Sequence, residues 1–201
     1  MKTLSWWALL LCSLGVAGYA LYAYSVLPLG SLVHPDMQVV FNQHQLAIYV
    51  HVFGSLTALA LGPWQFLSTL RSRYPQLHRW FGRVYLLVGV LLGGLAGLAL
   101  AQTAFGGLVS IVGFTGSALV WLTTGFMAFS CVMKKDFDAH RRWMIRNFSV
   151  TFSAVTLRIY LGAFMASGMP FTDFYPLLAW LSWVPNLLIA DWLFNRHPAP
   201  R

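Results

Sequence analysis

The 201-residue chain contains no glutamate and only five aspartates. Charged residues of both signs make up 9% of it. A soluble domain of this size needs far more charge to solvate its surface, so a water-soluble globule is excluded. Two-carboxylate and divalent-metal hydrolytic sites lack their raw material. The sequence also lacks a nucleophile–base pair, a phosphate loop and any long soluble segment. Its two cysteines, Cys12 and Cys131, offer neither a disulfide framework nor a thiolate metal site. Both fall in apolar runs and are expected to be small buried hydrophobes.

What is present is apolar length: 58% of the residues are hydrophobic. A helical span needs about 20 such residues, and six segments meet that need. They lie near Leu4–Leu27, Gln45–Leu70, Trp80–Thr103, Leu108–Met133, Arg142–Ala166 and Tyr175–Phe194. The fold class is therefore an all-α membrane protein. Its six transmembrane helices are expected as one integral membrane domain, a central four-helix bundle of helices two to five flanked by one and six. Helix one is too long for a cleaved h-region and is expected to stay as an anchor.

The net charge of +8 is distributed by topology. Lys2, Arg71, Arg73, Arg79, Arg83, Lys134, Lys135, Arg141, Arg142, Arg146, Arg196 and Arg201 all fall on one side. The opposite segments carry no Lys or Arg, which is the positive-inside pattern of an inner-membrane protein with both termini cytoplasmic. This placement excludes a nucleic-acid role and makes the bilayer the first partner. His34, Asp36 and His44 share an external loop, but their spacing fits no compact metal motif.

Inside the spans, polarity is patterned. Helical periodicity aligns His51, Gly54, Ser55, Ala58, Gly62 and Gln65 on one stripe of helix two, facing inward. The other faces carry Val52, Leu56, Leu59, Leu61 and Phe66. In helix three Gly89, Gly93 and Gly97 recur every four residues, a row that admits a second backbone or a flat cofactor. His140, Asn147, Thr151 and Arg158 line one stripe of helix five. Arg158 lies roughly 27 Å along the axis from His140, by the α-helical rise, at a depth matching His51. Helix six adds Asn186 and Asp191, the latter within reach of Arg79, Arg83, Arg142 or Arg146. His51, Gln65, Asn147, Arg158, Asn186 and Asp191 are thus expected to form an intramembrane polar cluster. A short internal repeat also emerges, because His78-Arg79-Trp80 through Arg83 and His140-Arg141-Arg142-Trp143 through Arg146 align with a one-residue gap.

The segments HVFGSLTALALGPWQF, LHRWFGRVY, HRRWMIRNF, LRIYL and WVPNLLIADW, in that order, resemble the bacterial predicted-membrane-protein family known as domain of unknown function 2306. The resemblance spans most of residues 45–192 and implies an architecture without an activity. A weaker resemblance is to the six-helix, ascorbate-reducible b-type cytochromes, whose four central helices each contribute a histidine to one of two haems. Helix four here has no histidine, so that resemblance implies only the pair His78 and His140 as axial ligands of a haem b. Arg79, Arg142 and Arg146 would then hold the propionates. Three functions stay open: haem- or quinone-linked electron transfer with a redox partner, a transporter or binding protein for a small polar or anionic solute, and a non-catalytic membrane assembly subunit. Whether the chain is an enzyme does not follow from its residues.

The topology has a direct test. In a background without Cys12 and Cys131, an impermeant thiol reagent added outside should label a cysteine placed at Ser31 or Thr172. It should miss one at Ser72, and the opposite labelling would refute the orientation.

Overall fold

A computed structural model describes residues 3–195. Lys2, Arg196 and Arg201, which contribute to the charge asymmetry, lie outside the described residues. Among these, six helices are long and apolar enough to cross a membrane. We label them α1 (Thr3–Ser25), α2 (Gln45–Gln65), α3 (Pro75–Ala101), α4 (Gly107–Met133), α5 (Phe137–Ala166) and α6 (Phe171–Phe194). No strand occurs among the described residues. The chain divides into two compact units, Met1–Thr103 with α1–α3 and Ala104–Arg201 with α4–α6.

Several helix ends differ from the sequence expectation, each for a local reason. α2 stops at Gln65 rather than Leu70, because Pro63 cannot continue the hydrogen-bond ladder and Leu67 turns extended. The Pro63 carbonyl is taken by the Trp6 indole N–H at 2.9 Å, which fastens α1 to this end of α2. α3 starts five residues early, with Pro75 in its first turn, where a missing N–H costs nothing. α5 also starts five residues early, because the Asp136 carboxylate accepts from the Ala139 N–H at 2.9 Å and caps it. α6 starts at Phe171 instead of Tyr175.

In the first unit the small-residue stripe of α2 faces the glycine row of α3. A Cβ added to Gly54 would lie 2.9 Å from the Gly93 Cα and 2.9 Å from the Val88 carbonyl oxygen. One added to Gly89 would lie 2.6 Å from the Ala58 Cβ, and one on Gly97 would lie 2.7 Å from His51 Nδ1. Of the two occupants the row could admit, it has taken a helix backbone. Over Tyr85–Leu92, which includes Gly89, α3 widens into π-helical turns. Leu59, expected on an outward face, is buried at 2% exposure, since α2 packs against α1 as well as α3. Cys12, expected to be buried, lies exposed on α1, and Cys131 is half-buried.

In the second unit α4 packs along the first half of α5 and the first half of α6. Gly113 lets α6 approach α4, since a Cβ there would lie 2.8 Å from that of Ala179. α5 is interrupted at Phe152, between segments Phe137–Thr151 and Ser153–Ala166. α6 is interrupted at Ser182–Trp183, before Pro185, which offers no N–H to the preceding turn.

The α2–α3 contact predicts a steric exchange. Gly89→Ala should lower stability by about 1–3 kcal/mol, the usual cost of overpacking. Adding Ala58→Gly should restore most of it. Reversible unfolding of the detergent-solubilised protein reads the difference, and additive losses would contradict the contact.

Candidate functional site

His51 is set by the glycine row. Its ring rests over Gly97, and Nδ1 lies 2.9 Å from the Gly93 carbonyl oxygen. A carbonyl can only accept, so Nδ1 carries the proton and donates, and in the neutral ring Nε2 keeps its lone pair. His140 is held the same way in the other unit. Its Nδ1–H donates to the Ala128 carbonyl of α4 at 2.8 Å. Neither Nε2 has a hydrogen-bond partner among the described residues. A neutral imidazole held through Nδ1 by a carbonyl is the state in which histidine offers Nε2 to a metal or accepts a proton there.

Gln65 closes the same α2 stripe. It is buried at 8% exposure, its Oε1 faces Gly82 of α3, and its Nε2 has no hydrogen-bond acceptor. The Ser55 hydroxyl, one turn from His51, is likewise buried without a partner.

The polar residues of α5 and α6 are tied to neighbouring helices. Asn147 is fully buried, and its Nδ2 donates to the Trp121 carbonyl at 2.7 Å and to Thr124 Oγ1 at 2.9 Å. The Trp121 indole N–H returns a bond to Thr151 Oγ1 at 2.8 Å. His140, Asn147 and Thr151 therefore share the α4 face, as their spacing predicts. Arg158, beyond the interruption, donates from Nη1 to the Ala154 carbonyl of its own helix at 2.8 Å. Asn186 donates to Thr156 Oγ1 at 2.7 Å and to the Ser149 carbonyl at 3.3 Å, joining α6 to α5.

Asp191 resolves its choice of arginine. It accepts from Arg146 through Nε at 2.9 Å and Nη2 at 2.6 Å, while the same guanidinium stacks 4.7 Å above Trp143. His78, Arg79 and the polar residues His51 and Gln65 lie in the first unit. His140, Arg142, Arg146, Asn147, Arg158, Asn186 and Asp191 lie in the second. No group of three or more His, Cys, Asp or Glu able to hold a metal occurs among the described residues. In the loop before α2, His34 Nδ1 accepts from the Asp36 N–H and so caps a single turn at Pro35–Met37.

A family model described as a predicted membrane protein matches residues 48–194, most of the chain. The chain belongs to this family, DUF2306. No curated protein and no solved structure matches it. The matched region of this DUF2306 protein runs from the first turn of α2, ahead of the His51 stripe, to the end of α6, and so includes both held histidines and the hydrogen bonds that join α4, α5 and α6. Sequence spacing missed the main-chain acceptors, Gly93 and Ala128, because a carbonyl carries no residue signature. Trp121 and Thr124 were legible only as aromatic and hydroxyl within an apolar span.

The Asn147 lock should be measurable. Asn147→Leu is expected to cost about 1–2 kcal/mol, the range for interhelical hydrogen bonds in membranes. Thr124→Val should then add little in the Asn147→Leu background, so a double-mutant cycle would give a nonzero coupling.

Proposed function

We propose that this protein is a b-type haem-linked electron-transfer protein of the membrane, passing electrons to or from a quinone or a redox partner. The supporting observation is the state of His140: Nδ1 fixed by the Ala128 carbonyl, Nε2 unengaged, at the basic start of α5. The carbonyl holds the ring in one tautomer and raises the basicity of Nε2, as the outer-shell partner of an axial ligand does. When bound, haem iron would supply one-electron chemistry within the bilayer.

On this reading His140 is the candidate axial ligand of the second unit. Arg146 is committed to Asp191 and so is not left for a propionate. His51, held the same way by Gly93, is the candidate ligand of the first unit. A second reading, a binding site for a small polar solute, draws on the buried amide of Gln65, whose Nε2 lacks an acceptor.

Protein purified in detergent after haem-replete expression should show a Soret band and, on reduction, the split α and β bands of a low-spin b-type centre. His140→Ala should abolish the bands, and His51→Ala should leave them. Loss in His51→Ala alone would assign the haem to the first unit. Colourless wild-type protein would overturn the electron-transfer reading and favour the solute-binding or assembly roles.

A further inference from the structure

The repeated helix start differs between the units in one respect. In both, a tryptophan is followed three residues later by an arginine whose guanidinium lies on the indole. The distance is 5.4 Å for Arg83 on Trp80 and 4.7 Å for Arg146 on Trp143. In the second unit this guanidinium is neutralised by Asp191. In the first unit Arg83 makes no ion pair among the described residues. Nor can its own unit supply one at that end. The only acidic residue of Met1–Thr103 is Asp36, in the loop before α2. Arg71, Arg73 and Arg79 add three more exposed positive charges within the same stretch. Around them Trp80 and Tyr74 are 62% and 52% exposed, and Leu77 is exposed too.

From this we propose that the start of α3 is a binding surface for the phosphate headgroup of an anionic phospholipid, seated on Arg83 and Trp80. The headgroup supplies the negative charge that Asp191 supplies to Arg146. The chemistry fits both parts of the lipid. A phosphodiester accepts hydrogen bonds from a guanidinium as a carboxylate does. The exposed indole, phenol and leucine are of the kind that lies at the headgroup–acyl boundary. A basic juxtamembrane stretch gains roughly fivefold in affinity per Lys or Arg at an anionic surface. The Trp80 stack holds Arg83 in place, so less side-chain freedom is lost on binding. This inference does not depend on the haem reading.

Native mass spectrometry of the full chain, equilibrated with equimolar phosphatidylglycerol and phosphatidylcholine in detergent, tests it. Wild-type protein should retain phosphatidylglycerol preferentially, and Arg83→Gln should cut that preference roughly fivefold. Trp80→Leu, at an exposed position, should lower it in the same direction by removing the stack that holds Arg83. Arg146→Gln should leave it unchanged, because that arginine is already neutralised. Asp191→Asn should add a second retained phosphatidylglycerol by releasing Arg146. Equal retention of the two lipids, or retention indifferent to Arg83, overturns the proposal. Failure of Asp191→Asn to add a lipid overturns the equivalence of carboxylate and headgroup. Displacement of the lipid by millimolar inorganic phosphate would overturn the lipid as occupant in favour of a free anion.

Discussion

The approach of α2 to α3 is the constraint on which the first unit depends. In lipid, two helices gain little from hiding apolar surface from each other, so association relies on close van der Waals contact. Gly54 opposite Gly93, and Ala58 opposite Gly89, bring the backbones to a separation that no larger side chain would tolerate. The same approach puts the Gly93 carbonyl within reach of His51 and leaves room for the ring over Gly97. The orientation of the histidine is thus a consequence of the packing. A Cβ at position 97 would meet the His51 ring first.

The second unit solves the same problem with different chemistry. α4 and α5 are joined by the Asn147 amide, the Trp121 indole and the hydroxyls of Thr124 and Thr151. Each of these groups would be costly facing lipid, so the polar residues of the span are used against one another. Asn186 extends the scheme to α6. Most of what looks like a polar solute pathway in the sequence is therefore consumed in holding three helices together. Among the groups not used in this way are the two imidazole Nε2 atoms and the Gln65 amide, and those carry the functional reading.

Six spans were legible because apolar length is a property of composition and survives any packing. The inward stripe of α2 was legible from spacing, and its partner row in α3 from glycine periodicity. Pairing the two needed the antiparallel register, which puts residue 58 against 89 and residue 54 against 93. The helix starts at Pro75 and Phe137 precede the expected ones because hydropathy marks where the apolar run begins. Caps and first-turn prolines mark where the helix begins. The carbonyl partners of His51 and His140 had no signal at all, since every residue has a carbonyl and only geometry selects one.

The two units also show how a repeated motif diverges. The tryptophan–arginine pair recurs at the start of α3 and of α5 with the same stacking, yet only the second is neutralised from within its unit. An arginine at a membrane interface is stable without a carboxylate if water or phosphate can reach it, so the fold places no demand on Arg83 for a protein partner. Asp191 is different, because it ties the end of α6 to α5 and so closes the three-helix unit. Neutralisation from within contributes to packing, whereas neutralisation from outside leaves the charge available to a ligand. The asymmetry between Arg83 and Arg146 is then a division of labour between holding a helix and meeting the bilayer.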